Sequence, residues 1–150
     1  MDFSQAFNIA QLANALALAS LLTILASGLA LIFGLRDVMN FGHGALFMLG
    51  AYLGYTFSGL FNFWAALVIV PLLLALLGVL FEYAAIRPLQ RRSHMDVALV
   101  TFGLALILSQ VVIKVWGTAP LSVSAPPSLA GSLDLFGHAY PAYRIFLIAM

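Results

Sequence analysis

The stretch from Arg36 to Tyr55, which begins RDVMNFGHGALFMLGAY, decides how the chain is organised. Arg36 and Asp37 mark an aqueous or headgroup boundary. The apolar run that follows, Ala45 to Leu60, has only 16 residues. As a helix it would be about 24 Å long, which is less than the roughly 30 Å of a bilayer core. Either this helix tilts little and thins the bilayer, or the polar residues before it are drawn into the membrane.

We favour the second interpretation, in which the polar residues form a broken-helix element at membrane depth. Irregular, glycine-rich backbone is tolerated there only where protein or a water-filled cavity surrounds it. A glycine-interrupted span is also a pointer to the binding region of a transporter. The residues predicted to line or brace a translocation path are therefore Asn40, Gly42, His43 and Gly44.

His43 and Asn40 each have a structural interpretation beside the functional one. An ionisable group within the membrane marks a pathway by default because it is costly to bury. The imidazole of His43 could instead remain neutral and bond backbone carbonyls that are freed by the flanking glycines. The Asn40 side chain can likewise cap the backbone, since it mimics a turn. Both alternatives remain open at this stage.

The composition excludes most other classes of protein. Of the 150 residues, 64% are hydrophobic and 7% are charged, whereas a globular domain has about a quarter charged residues. The formal net charge of +1 gives no electrostatic footprint for nucleic acid. The chain contains no cysteine, which excludes thiol chemistry and cysteine-ligated metals.

The apolar runs predict an all-α, polytopic transmembrane helix bundle embedded in the lipid bilayer. We expect residues 1–150 to be a single transmembrane domain and the N-terminal portion of a longer protein. About four full spans and the start of a fifth are expected: Leu12 to Leu35, Ala45 to Leu60, Phe63 to Phe81, Val97 to Trp116, and Pro141 onward.

Small residues in the second predicted helix form a stripe suited to close helix packing. Gly50, Gly54 and Ser58 recur at every fourth position, and small residues let helix backbones approach closely in lipid. Packing within the chain is the favoured interpretation, and homodimerisation is the alternative.

The segment Glu82 to Asp96 is the most charged part of the chain and is predicted to be a loop. It contains Arg87, Arg91 and Arg92, half of the six basic residues. By the positive-inside rule this loop is cytoplasmic. Counting helices outward places the Arg36 end of the first helix inside and the N-terminus outside, unless residues 36–44 are re-entrant.

Motifs for catalysis are not present in the sequence. The phosphate-binding pattern GxxxxGK[ST], the zinc pattern HExxH and the nucleophile pattern GxSxG are all missing. We therefore expect no enzyme activity, no cofactor and no metal site.

Two separated motifs resemble the permease subunits of branched-chain amino acid ABC importers. The first is LIFGLRDVMNFGHGALFMLGAYLG, and the second is FEYAAIRPLQ followed by a polar linker and VALVTFGLALILSQVVIKVWG. Together the quoted motifs extend from Leu31 to Gly117, in the order and spacing of that family. Gly42 is a mild departure, because relatives commonly have alanine there.

The resemblance implies a multi-pass permease of the bacterial inner membrane that works by alternating access. Its partners would be a second permease subunit, two cytoplasmic ATPase subunits and a periplasmic substrate-binding protein. Related permeases handle urea and short amides, so the motifs do not fix the substrate. A passive channel and a non-transport membrane scaffold are the competing classes. For a permease, we expect bulky replacement of Gly42 or Gly44 to abolish uptake.

Overall fold

The computed structural model describes residues 3–36, 40–89, 92–135 and 138–149. The chain divides into two compact units. The central unit is Gly28–Val123, and the terminal unit combines the described parts of Met1–Ser27 and Ser124–Met150. Each unit is described by itself.

Five α-helices and one small antiparallel sheet make up the described chain. The helices are α1 (Phe3–Arg36), α2 (Gly42–Leu60), α3 (Phe63–Phe81), α4 (His94–Trp116) and α5 (Ala142–Ala149), and the strands are β1 (Ser132–Leu135) and β2 (His138–Pro141). After α3 the chain continues as a π-helical turn over Glu82–Ile86 and a 3-10 turn over Arg87–Leu89.

Helix α2 begins at Gly42, three residues before the apolar run. The expectation of irregular backbone across this segment is therefore wrong from Gly42 onward. Gly42, His43 and Gly44 are helical, and Asn40 and Phe41 are the described residues between α1 and α2. With 19 residues, α2 is about 28 Å long. The helix is therefore close to the thickness of a bilayer core, and the short apolar run reflects polar residues in its first turn rather than a broken helix.

The charged segment after α3 is mostly helical, so the predicted loop Glu82 to Asp96 is wrong over most of its length. One continuous helical stretch of 27 residues extends from Phe63 to Leu89. Pro88 has no N–H to donate and its ring crowds the preceding turn. The backbone widens into a π turn just before this proline, and the Arg87 N–H donates to the Glu82 carbonyl.

Helix α4 also starts earlier than the predicted Val97, because a capping box fixes its first turn. The Ser93 hydroxyl accepts a hydrogen bond from the Asp96 N–H (3.3 Å), and the Asp96 carboxylate accepts one from the Ser93 N–H (3.1 Å). These bonds satisfy backbone donors that a helix N-terminus otherwise leaves free. Asp96 is therefore part of the helix rather than of a loop.

Three helical segments in the described part of the chain are long and apolar enough to cross a membrane: Gln11–Leu35, Phe63–Leu89 and His94–Trp116. Helix α2 is not among them, since its glycines, tyrosines and hydroxyl residues lower its hydropathy. The multi-pass, all-α architecture holds, while the predicted count of four full spans is not confirmed. Helix α5 has only 8 residues, so the start of a fifth span stays a prediction.

The core of the central unit lies between α2 and α4, and Leu74, Leu77 and Phe81 of α3 pack against it. Its buried side chains are Ala45 and Leu49 from α2 with Leu108 and Val112 from α4. Val112 is only 1% exposed. Because lipid is as apolar as these side chains, close packing rather than escape from water holds such helices together.

The terminal unit contains a hairpin that lies between the predicted spans Val97 to Trp116 and Pro141 onward. Strands β1 and β2 pair antiparallel, with Leu133 opposite Tyr140. The Tyr140 hydroxyl donates to Asn14 Oδ1 at 3.4 Å, and the Arg144 guanidinium bonds the same oxygen. A polar cluster thus ties the hairpin and α5 to the N-terminal half of α1 within this unit.

Candidate functional site: a cavity beside the Asn-Phe-Gly-His-Gly segment

Asn40 caps the N-terminus of α2. Its Oδ1 accepts a hydrogen bond from the Gly42 N–H at 2.9 Å, and its backbone carbonyl accepts one from the His43 N–H at 3.3 Å. Asparagine is suited to this position because its short amide imitates a backbone turn. Of the two interpretations of Asn40, the structure shows the capping one, and Asn40 also lines the cavity described below.

Thr101 of α4 also forms a hydrogen bond with this segment. Its hydroxyl oxygen accepts a hydrogen bond from the Phe41 N–H at 3.2 Å and donates to the Ala98 carbonyl at 3.0 Å. Thr101 is 1% exposed, so the Phe41 N–H has a partner where water is excluded. The edge of the Phe41 ring also packs against Phe102, with 6.1 Å between ring centroids.

A cavity of about 460 Å³ lies beside this segment, within the central unit. Its volume is within the range of about 300–1,000 Å³ typical of small-molecule sites. Most of its wall is apolar, and four parts of the chain supply it: Leu31, Ile32 and Leu35 from α1, Leu46 from α2, Gly78, Phe81, Ile86 and Leu89 from the helical stretch after Phe63, and Val97 and Leu104 from α4.

Five polar side chains interrupt the apolar wall: Asn40, Glu82, Arg92, His94 and Thr101. Glu82 is half-buried, whereas Arg92 and His94 are exposed. The cavity therefore combines a carboxylate, a guanidinium and an imidazole with a mainly apolar interior. This combination can hold a small molecule that has both charged and apolar parts.

The structure separates the four residues predicted to line or brace a path. Asn40 and Gly42 lie on the cavity wall, whereas His43 and Gly44 do not. The His43 imidazole is half-buried and packs against α1, where a Cβ added to Gly28 would lie 2.9 Å from His43 Cε1. Gly44 is exposed, and a Cβ added there would meet nothing within 4 Å.

Gly42 is the glycine of this segment that a larger residue would disturb. It is buried, and an added Cβ would lie 3.0 Å from Asn40 Oδ1 and 3.6 Å from the Thr101 carbonyl. A side chain there would press on the atom that caps α2. The expected loss of uptake on bulky replacement therefore has a steric basis at Gly42. At Gly44 the described residues give no steric basis for it.

The small-residue stripe of α2 has one close neighbour. A Cβ added to Gly50 would lie 2.8 Å from Leu74 Cδ1 of α3, whereas one added to Gly54 would meet nothing within 4 Å. The Ser58 hydroxyl donates to the Tyr55 carbonyl of its own helix at 2.9 Å. Close packing within the described chain occurs at Gly50, and packing at Gly54 and Ser58 stays a prediction.

The three arginines of the charged segment have different surroundings. The exposed Arg87 guanidinium lies 4.8 Å from the centre of the Tyr83 ring. Arg92 lines the cavity, and its N–H donates to the Leu89 carbonyl at 2.8 Å. Arg91 lies outside the described residues. Their predicted cytoplasmic location stays a prediction.

Sequence reasoning missed two polar contacts that join α2 to α4. One is the Thr101 contact with Phe41, and the other is the Trp116 Nε1–H, which donates to Thr56 Oγ1 at 2.8 Å. Trp116 also packs on Tyr52, with ring centroids 5.5 Å apart. Each pair is separated by 60 residues, so no local pattern reports it. A hydroxyl within an apolar helix was the only available signal.

Comparisons with known proteins support the site's membrane setting. A family model described as the permease component of branched-chain amino acid transport systems matches residues 11–150. The high-affinity branched-chain amino acid transport system permease protein LivH of Escherichia coli K12 is 23% identical over an alignment of 139 residues, and the match covers 86% of this chain and 44% of the relative.

LivH of Escherichia coli O157:H7 matches with the same identity and coverage. The chain therefore spans less than half of the length of the curated relatives it matches. The comparison with solved structures gave no match.

Proposed function

Because the chain belongs to the family of permease components of branched-chain amino acid transport systems, we propose that it forms part of the translocation path of an ABC importer for branched-chain amino acids. The observation that carries this proposal is the cavity of about 460 Å³ beside Asn40 and Gly42. The helices that surround it are largely apolar. A cavity of this volume has no role in a pure scaffold, since protein interiors are otherwise close-packed.

The transport cycle in this proposal is alternating access in the bacterial inner membrane. A periplasmic binding protein delivers the amino acid between this chain and a second permease subunit. ATP binding by two cytoplasmic ATPase subunits then rocks the helices. The residues of this chain that take part are Asn40 and Gly42 on the cavity wall, with His43 bracing α2 against Gly28.

The cavity belongs to the cytoplasmic half of the path in this proposal. It lies where α1 ends, α2 begins and α4 begins, next to Arg87 and Arg92. The positive-inside rule assigns such an arginine-rich end to the cytoplasm. A single cysteine at Ser93 tests the assignment, because the chain has no native cysteine. Labelling by an impermeant thiol reagent is expected from the cytoplasmic side and not from the periplasmic side.

Uptake by the complete transporter tests the function itself. The full-length gene, expressed with its partner subunits, is expected to support ATP-dependent uptake of labelled leucine and valine. Uptake of urea instead of leucine would assign the chain to the amide-transporting relatives. Leucine flux without ATP would indicate a passive channel, and the absence of flux for every substrate would indicate a scaffold.

A further inference from the structure

The α1 wall of the cavity is itself exposed to the surroundings of the chain. This wall consists of Leu31, Ile32 and Leu35. Leu31 and Leu35 are 64% and 76% exposed, although both line the hollow. They belong to the segment Gln11–Leu35, which is long and apolar enough to cross a membrane. In a bilayer, lipid acyl chains therefore have access to this side of the cavity.

Two basic or hydrogen-bond-donating side chains lie on the same cavity wall. Arg92 and His94 stand on either side of Ser93, and both are exposed as well as cavity-lining. The two acidic side chains of this segment are already engaged. The Asp96 carboxylate accepts hydrogen bonds from the Ser93 N–H and hydroxyl at 3.1 and 3.0 Å, and Glu82 has an interaction of its own. The exposed groups are therefore complementary to an anion that comes from outside the chain.

We propose that an anionic phospholipid occupies the α1 side of this cavity. One acyl chain lies against Leu31, Leu35 and Leu89. The phosphate of the headgroup accepts hydrogen bonds from the Arg92 guanidinium and the His94 imidazole. Basic pockets between transmembrane helices bind lipid headgroups in this way. The proposal does not depend on which solute the chain transports.

The apolar and basic parts of the site lie at the depths where a phospholipid has its chains and its phosphate. Leu35 is the last apolar residue of its span and directly precedes Arg36. The helical stretch Phe63–Leu89 has 27 residues and is about 40 Å long. Because a bilayer core is only roughly 30 Å thick, the charged end of this stretch reaches the headgroups, close to Arg92 in the chain.

A lipid at this position gives the cavity two sides with different roles. The acyl chain closes the hollow toward the bilayer at α1. The wall formed by Asn40, Thr101 and Leu104 stays available to the translocation path proposed above.

Native mass spectrometry of the complete permease–ATPase complex tests the proposal. The complex is extracted in detergent and given dioleoyl phosphatidylglycerol or dioleoyl phosphatidylcholine, which have the same acyl chains and differ in the charge of the headgroup. The unmodified complex is expected to retain phosphatidylglycerol about fivefold better or more, since each basic group near a membrane surface contributes about that factor. Equal retention of the two lipids would overturn the proposal.

Variants of the basic side chains locate the headgroup. Arg92→Gln is expected to lower phosphatidylglycerol retention about fivefold, and Arg92→Lys is expected to keep most of it, because an ammonium group also binds phosphate. Arg87→Gln is the matched control: it removes the same charge from an exposed side chain that lies against Tyr83 and outside the cavity wall. Equal losses in Arg87→Gln and Arg92→Gln would assign the effect to general surface charge and overturn the site. The mass of the assembled complex in the same spectra reports whether each variant folds.

Two further measurements distinguish a lipid from a free phosphate compound. Glycerol 3-phosphate has the phosphate without acyl chains, and at equal concentration it is expected not to displace phosphatidylglycerol; displacement would assign the site to a soluble phosphate and overturn the lipid. Leu31→Trp fills the α1 side of the cavity and is expected to lower retention severalfold. Leu29→Trp is its control, since Leu29 is exposed on the same helix and lies off the cavity wall. Unchanged retention in Leu31→Trp would contradict an acyl chain in the cavity.

Discussion

The two ends of the α2–α4 pair differ in how they are filled. At the end where both helices begin, the capped Asn40–Gly42 segment borders a cavity that contains Glu82 and Arg92. At the end where both helices finish, Trp116 bonds Thr56 and packs on Tyr52. The buried cluster around Leu49 and Val112 lies between them.

This difference is compatible with the alternating access that we propose for the chain. A transporter needs a hollow that is open toward one side of the membrane while packed side chains block the other side. In this chain the same two helices supply both, because they run in the same direction and touch at each end through different residues. The variants below alter one end at a time, so they measure whether the two ends have separate roles.

The largest effect is expected from Gly42→Leu at the cavity end. The new side chain would displace Asn40 Oδ1, which lies 3.0 Å from the position of the added Cβ, and it would project into the cavity. Uptake is expected to be largely lost, because the new side chain displaces the atom that caps α2 and occupies space beside Leu104. Labelled leucine uptake per amount of transporter in the membrane measures it.

Gly44→Leu is the matched control for this variant, because a Cβ at Gly44 would meet nothing within 4 Å. Uptake by Gly44→Leu is expected to stay far above that of Gly42→Leu. Equal loss in both variants would show that the segment acts through a partner subunit rather than through the cavity of this chain.

Thr101→Val is expected to loosen the cavity end without changing the shape of the side chain. The substitution removes the hydroxyl that accepts the Phe41 N–H at 3.2 Å and leaves this part-buried donor without that partner. The free energy of unfolding should fall by about 1–3 kcal/mol, as measured by unfolding titration in mixed micelles. Thr101→Ser keeps the hydroxyl and should recover most of the loss. An unchanged unfolding free energy in Thr101→Val would show that this hydrogen bond contributes nothing to stability.

Trp116→Phe changes the opposite end and is expected to have a smaller effect. It keeps an aromatic ring near Tyr52 but removes the Nε1–H that donates to Thr56. A loss of about 1 kcal/mol in unfolding free energy is expected. A double-mutant cycle with Thr56→Val isolates the hydrogen bond, and strictly additive losses would show that the bond contributes nothing.

The smallest effect, and the only gain, is expected from Gly54→Ala. The position is in the interior of α2, and an added Cβ would meet nothing within 4 Å. Alanine should raise the unfolding free energy of the isolated chain by about 0.5–1 kcal/mol, because glycine weakens a helix. Loss of assembly with the second permease, despite that gain, would show that Gly54 packs against a partner, in contrast to the favoured packing within the chain.

Much of the fold could be predicted because apolar runs report helices directly. The segments Phe63 to Phe81 and Leu12 to Leu35 lie within observed helices. Boundaries were less predictable where polar residues continue a helix. The charges around Glu82 were interpreted as a loop, although one helical stretch extends to Leu89. The spacing of Ser93 and Asp96 is a capping-box signal that would have placed the start of α4 correctly.

Only part of the candidate site could be predicted from the sequence. The Asn40–Gly44 segment stood out because polar and glycine residues interrupt an apolar context. Its partner Thr101 is distant in the chain, and the contribution of Glu82 and Arg92 to the same cavity depends on how three helices pack. Contacts of this kind come from tertiary structure, and a single sequence without aligned relatives does not encode them in any local pattern.

The most direct test of the account is the accessibility of a cysteine in place of Leu104, on the cavity wall, compared with one in place of Val112, in the core. In the nucleotide-free transporter, Leu104→Cys is expected to react with an impermeant thiol reagent from the cytoplasmic side, while Val112→Cys stays unreactive. Reaction of Leu104→Cys only from the periplasmic side, or at the slow rate of Val112→Cys, would contradict the assignment of this cavity to the cytoplasmic half of the path.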